Sequence, residues 1–178
     1  MLAEGLRYAS QQDTRRAARA CREAIALRPV RPEAYFNLGA ALCNSGHYVE
    51  AAQRYLQAKE RYPAGLEGWG AATAEAFSAL RLKPCAEVAK PEWWNDKELK
   101  ALSARVVRAA PNDMTANEMR GLVLCGQYGA LEVGPRSAAE LKKAATHFAR
   151  AVALHPAPAG KAQLAAHAAW CRPQAEAM

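Results

Sequence analysis

Residues 32–63 read PEAYFNLGAALCNSGHYVEAAQRYLQAKERYP, and the order of features in this stretch decides the fold. Tyr35, Leu38, Gly39 and Leu42 fall at i, i+3, i+4 and i+7, which places them on one face of a helix. Ala51, Tyr55 and Ala58 fall at i, i+4 and i+7 on a second helix. Gly46, between the two, suits the left-handed conformation that ends a helix, and Pro63 stops the second one. Gly39 and Ala51 leave no bulk where the helices are expected to cross, while Tyr35, Leu42 and Tyr55 fill the space around that crossing. The reading is a pair of antiparallel helices.

This ordered set resembles the tetratricopeptide repeat (TPR), a helix pair of about 34 residues in which an aromatic, Leu-Gly and a bulky residue mark helix A. Ala, an aromatic, Ala and a closing Pro mark helix B. Moved back by one unit, Gly5 falls under Gly39, Tyr8 under Leu42, Ala17 under Ala51, Cys21 under Tyr55, Ala24 under Ala58 and Pro29 under Pro63. That upstream copy lacks the first residues of its helix A. Moved forward, Trp69 falls under Tyr35, and the next closing proline, Pro111, comes about fourteen residues late against the family period. A further unit has Gly121 and Leu124 in helix A and Ala144, Phe148, Ala151 and Pro156 in helix B, again with an insertion. The resemblance implies an all-α chain, a right-handed α-solenoid of TPR-like helix pairs in which two units carry inserted loops between helix A and helix B. As one domain, 1–178 divides into a truncated repeat (1–31), a full repeat (32–65), two repeats with insertions (66–113 and 114–156) and a closing helix with tail (157–178).

The insertions have readable ends. Asn95-Asp96 followed by Glu98 caps a helix running through Leu99, Leu102 and Val106, and the SAAE run from Ser137 forms a capping box that opens a helix to about His155. After Pro156 a last helix is expected from Lys161 to about Cys171, with an alanine-rich face that is apolar for the end of an array. Trp93 and Trp94 lie in the first insertion; they read either as anchors of that loop or as a contact for a partner.

With 24 Lys+Arg against 17 Asp+Glu the chain carries a formal charge of +7, and residues 1–31 hold seven of the bases and three of the acids. Arg15, Arg19 and Arg22 at i, i+4 and i+7, with Arg16 beside them, form a basic stripe opposite Ala17, Cys21 and Ala24. The stripe reads as a solvated face or as a seat for an acidic protein, an anionic lipid surface or nucleic acid, although no aromatic residues interleave with it to stack on bases. Five cysteines are scattered without a CxxC pair, which suits small core hydrophobes in a reducing compartment, the cytoplasm first and the nucleus or an organelle left open. Cys43 and His47 supply two ligands at most, so no metal site and no cofactor are expected. No phosphate loop, GxSxG elbow or HExxH motif is present, and no catalytic residue or small-molecule substrate is assigned. The longest weakly charged stretch, from Tyr35 to Val49, contains Asn37, Asn44 and His47, and no membrane span is expected.

In the family's architecture the concave groove is lined by helix A. Carried onto this chain, those positions are Leu2, Leu6, Phe36, Asn37, Ala40, Cys43, Ala74, Phe77, Met119 and Leu122, a shallow apolar groove edged with acids. Some family members clamp a chaperone carboxylate with Lys and Asn, then Asn, then Lys and Arg. Here Leu2 and Leu6, Asn37, and Glu67 and Ala71 hold those places, so the cations are missing and that ligand is not expected. The resemblance implies a non-catalytic protein–protein interaction or scaffolding module, a subunit or assembly factor of a larger complex, that takes a helical or extended segment in the groove. The alternative is an RNA-associated helical repeat protein that uses the Arg stripe.

Overall fold

The computed structural model describes residues 13–129 and 133–177. These form eight α-helices and one short 3-10 turn, with no strand among them. Helix α1 spans Thr14–Leu27, α2 Pro32–Asn44, α3 Tyr48–Arg61, α4 Glu67–Leu80, α5 Asp96–Ala109, α6 Met114–Cys125, α7 Ala138–Leu154 and α8 Pro158–Glu176. Two compact units divide at Ala89 and Lys90, inside the first insertion. In the first unit α1 packs on α2, α2 on α3 and α3 on α4; in the second α5, α6, α7 and α8 pack in the same successive way.

Local chemistry sets several of the helix ends. The Asp13 carboxylate accepts from the Arg16 N–H at 3.1 Å, the Asn95 side chain from Glu98 N–H at 3.0 Å, and the Asp113 carboxylate from Ala116 N–H at 2.7 Å. Each fills an otherwise unpaired donor of a first turn. Ser137 and Glu140 close the expected capping box on α7. Gly46 (φ 79°) and Gly126 (φ 77°) end α2 and α6 in the left-handed region. The two insertions stand where the spacing put them, between α4 and α5 and between α6 and α7.

Gly39 meets a different residue from the one expected. A Cβ added there would lie 2.8 Å from the Tyr55 ring, so the glycine makes room for that aromatic rather than for Ala51. In the second unit Gly121 makes the same room for Phe148, also at 2.8 Å. The last helix is longer than the expected Lys161–Cys171. Pro158 stands at its first position, where a missing N–H costs nothing, and Pro173 is tolerated in its final turns. Helix α8 buries Leu164, Ala168, Cys171 and Ala175, one stripe at helical spacing.

Candidate partner-binding face

In the first unit, α2 buries Ala34, Tyr35, Leu38, Gly39, Ala41 and Leu42 and leaves Phe36, Asn37, Ala40 and Cys43 half-exposed on its other side. Two contacts hold this helix in place. The Tyr35 hydroxyl and the Arg61 Nε both donate to the Pro29 carbonyl at 2.9 Å, and the Arg61 guanidinium lies 4.0 Å above the Tyr35 ring. Phe36 packs edge-on against Tyr55, with ring centres 5.4 Å apart, and rests on the cluster of Tyr35, Ala58 and Ala72. Its ring is therefore part core and part surface.

The electrostatics of this face are acidic. Burial pushes the Tyr55 hydroxyl far above its ordinary range, and Glu75 of α4 and Cys43 of α2 push it further. Burial likewise raises the Cys43 thiol, again with Glu75 adding to the shift, so neither group ionises near neutral pH. Burial also raises the Tyr62 hydroxyl, with Glu33 of α2 adding to it. Glu33 and Glu75 thus bear on the side chains around the half-exposed Phe36, Asn37 and Ala40, and Glu33 faces Arg31 at 3.6 Å.

The other expected groove residues are placed differently. Leu2 and Leu6 lie outside the described residues. Ala74, Phe77, Met119 and Leu122 are fully buried, because each lies on the packed side of its helix, and they offer no surface to a ligand. This corrects the groove drawn from register: of its described members only Phe36, Asn37, Ala40 and Cys43 reach solvent. Trp93 and Trp94 stand in a turn ahead of α5, half-buried, with ring centres 5.7 Å apart and Lys90 Nζ 5.4 Å from the Trp94 ring. Arg15, Arg16, Arg19 and Arg22 are all exposed on α1, as the stripe requires. Three of them face acids: Arg16 with Asp13 (3.5 Å), Arg19 with Glu23 (2.9 Å) and Arg22 with Glu50 of α3 (3.3 Å).

Residues 20–53, from the second half of α1 to the start of α3, match the family model for the tetratricopeptide repeat. In fold the whole chain is similar to TTC0263, a thermophilic TPR protein of Thermus thermophilus, with a TM-score of 0.60 and 20% identity over 98% of this chain and 87% of that one. Residues 20–53 thus match a tetratricopeptide repeat, and the chain has the all-helical fold of TPR proteins. It is also similar in fold to MamA (TM-score 0.58, 15% identity, 98% of this chain and 84% of that one) and to MamA of Desulfovibrio magneticus RS-1 (0.56, 20%, 97% and 89%). No curated protein matches it in sequence.

The second unit holds a polar network that sequence reading missed. Arg136, in the second insertion, grips the Asp96 carboxylate with two nitrogens at 2.6 and 2.9 Å and also donates to the Val123 carbonyl at 3.1 Å. The buried Tyr128 donates its hydroxyl to the same carboxylate. Hydrogen bonding from Arg136 is the main reason the Asp96 carboxyl sits well below the usual carboxylate range. Burial would raise the Glu140 carboxyl, but Lys100 at 2.8 Å and the Ser137 N–H and hydroxyl bring it down to about 2. The effect is to strap the second insertion to the start of α5. Cysteines far apart in sequence also influence each other: burial, then Cys125 of α6, pushes the Cys171 thiol of α8 up to about 12. Among the described residues no group of three or more His, Cys, Asp or Glu gathers as metal ligands would, and no helix is long and apolar enough to cross a membrane.

Proposed function

We propose that this chain is a non-catalytic protein-binding module that works as a subunit or assembly factor of a larger complex. Repeats of this family are in general protein-interaction modules rather than enzymes, which supports the class of function. The α2 face supports the site: Phe36, Asn37 and Ala40 stand half-exposed on a helix whose other side is locked into a core, with Glu33 on the same helix and Glu75 acting on Cys43 and Tyr55. Fixed apolar and amide positions on a rigid helix recognise shape, and the acids favour a partner segment that carries Lys or Arg beside its apolar residues. The observation that carries the reading is the position of Phe36, anchored edge-on to Tyr55 while part of its ring remains at the surface. The RNA-binding alternative rests on the α1 stripe, and three of its four arginines already face carboxylates.

The test measures affinity for the protein partner recovered from the native source, as a function of salt, for three forms of the chain. Phe36→Ala is expected to weaken binding by about tenfold or more, the size of a buried aromatic anchor. Neutralising Arg15, Arg19 and Arg22 together is expected to leave it within about threefold. Binding that survives Phe36→Ala, falls steeply with salt and vanishes with the arginines would replace this reading with the phosphate-binding one.

A further inference from the structure

Arg120, half-buried on α6, lies between two helices. Its Nη1 donates to the Lys100 carbonyl and the Ser103 hydroxyl of α5 at 2.7 and 2.9 Å, and one turn earlier Asn117 meets His147 of α7 at 3.1 Å. Lys100 and Glu140, 2.8 Å apart, join α5 to α7 at one end of this gap. Lys143, His147 and Arg150 follow Glu140 at i+3, i+7 and i+10, on the same face of α7. Arg150 lines a cleft of about 450 Å³ with Pro111, Asn112 and Leu154, and exposed Arg108 stands in the last turn of α5 just before that Pro111 turn. These cations act on one another. Burial lowers the Arg120 guanidinium, and Arg108 adds to this against the pull of Glu140; burial lowers His147 to about 4, with Arg120 and Arg150 adding to it. The acids nearby are engaged: Glu140 holds Lys100, and Asp113 caps α6 through the Ala116 N–H. Glu118 stands about 100° or more round α6 from Asn117 and Arg120. Among the described residues, Arg108, Arg120 and Arg150 form no ion pair.

We propose that Arg108, Arg120 and Arg150 form a binding site for a phosphate monoester, seated over Arg120 between the two outer guanidiniums. Three guanidiniums match a group that carries about two negative charges and three acceptor oxygens, whereas a carboxylate offers one charge and two oxygens. Arg120 is the fixed member, because α5 already holds one of its nitrogens; Arg108 and Arg150 are exposed and can turn onto the ligand. His147 completes the surroundings as a neutral ring. The Asn117 amide nitrogen donates to the Pro111 and Asp113 carbonyls, so its oxygen faces His147 and Nδ1 carries the hydrogen. Neither α5 nor α7 exposes an aromatic on which a base could stack, which favours a single phosphate group over a nucleic-acid strand. The site belongs to the second unit and depends on neither the α2 face nor the α1 stripe.

The test titrates the full chain with a fluorescent peptide of Gly and Ala around one phosphoserine, beside the same peptide with plain serine. Saturable binding about tenfold or more tighter for the phosphorylated form is expected. It should weaken by about tenfold or more on Arg108→Gln with Arg150→Gln, and stay within about threefold when Arg15, Arg19 and Arg22 are neutralised instead, although that removes one charge more. Arg108 and Arg150 are exposed, so the double variant should keep the circular dichroism of the parent, which separates lost binding from lost folding. The bound dianion should also raise His147, so that its ring signals titrate at higher pH in the complex than in the free chain. Inorganic phosphate as competitor distinguishes the sources. Displacement at concentrations like those of the peptide assigns the site to free phosphate, and a need for about tenfold more assigns it to a phosphorylated protein. Equal binding of the two peptides, or binding that the double variant leaves unchanged, would overturn the proposal. A short single-stranded RNA that binds more tightly than the phosphopeptide and is lost in the same variant would overturn it in favour of nucleic acid, and an oligomer in sedimentation that this variant disperses, in favour of a second copy.

Discussion

The contact between Gly39 and Tyr55 supports a double-mutant test of the repeat register. A Cβ at Gly39 would sit 2.8 Å from Cε1 and 2.9 Å from Cδ1 of the Tyr55 ring, closer than carbon atoms approach, so something must move. The ring has little freedom to do so, because it is 3% exposed and carries Phe36 against its edge. Overpacking of this kind costs about 1–3 kcal/mol. Alanine in place of glycine returns about 1 kcal/mol of helix propensity. The net for Gly39→Ala is a loss of about 0–2 kcal/mol, too broad to decide anything alone. In a Tyr55→Leu background the ring is gone, and the same change should stabilise by about 1 kcal/mol. The coupling between the two sites, read from urea midpoints followed by circular dichroism, is therefore expected near 1–3 kcal/mol. Gly121→Ala with Phe148→Leu should show a coupling of the same sign in the second unit. A cycle that closes within about 0.5 kcal/mol at both pairs would refute the claim that these glycines exist to admit the rings. Gly65 makes a poor control, because its φ of 86° strains any side chain regardless of space.

Three further outcomes follow from other parts of the molecule. Asp96→Asn leaves the Arg136 guanidinium, 7% exposed, without its carboxylate; a loss of about 2–4 kcal/mol is expected, with faster proteolysis between Gly126 and Ser137. Burial, then Arg120 and Arg150, lowers His147 from 6.5 to about 4. The folded state thus resists a proton that the unfolded chain accepts: stability is full above pH 6.5, falls by about 1–3 kcal/mol as the pH drops toward 4, and His147→Gln should flatten that slope in urea midpoints between pH 7 and 4.5. Phe77→Ala, at a fully buried ring, should cost about 3–5 kcal/mol of stability, and a loss below about 1 kcal/mol would contradict its place in the core.

Helix ends were legible from the chain alone because capping chemistry is local. Asn95, Ser137 with Glu140, and Gly46 act on backbone groups a few residues away, and each does in the structure what its neighbours in sequence require. The binding face was only half legible. Register places Phe36 and Phe77 on equivalent sides of their helices, but whether a side is open depends on what packs over it, and Phe77 is covered where Phe36 is not. The strap on the second insertion left little sequence signal, since Asp96 and Arg136 stand 40 residues apart and Asp96 reads simply as an acid in the first turn of a capped helix. A weak pointer was there in Arg136, a cation immediately before the Ser137 cap in a loop otherwise short of charge. Helix α8 runs beyond the expected Cys171 because Pro173, in its last turns, forfeits a single backbone bond, and burial of Ala175 carries the helix past it.

The partial match of the later repeat to the family pattern has a physical origin. The turn before α2 leaves the Pro29 carbonyl needing a donor, and Tyr35 supplies one from six residues on, with Arg61 adding a second. The turn before α6 leaves the Pro111 carbonyl in the same need, and there the donor is Asn117, again six residues on. Its amide also serves the Asp113 carbonyl at 2.9 Å, and its oxygen meets His147 Nδ1 at 3.1 Å. A fully buried asparagine with every group engaged replaces an aromatic that combined packing with one hydroxyl. What recurs between the units is the demand of an orphaned carbonyl at a fixed place, and a phenol and an amide both meet it. The glycine under a ring recurs more faithfully, because close approach of two helices at that point admits one residue type on one side and an aromatic on the other. Within this chain the two units therefore differ at the position that satisfies a hydrogen bond and agree at the position that admits a neighbour's ring.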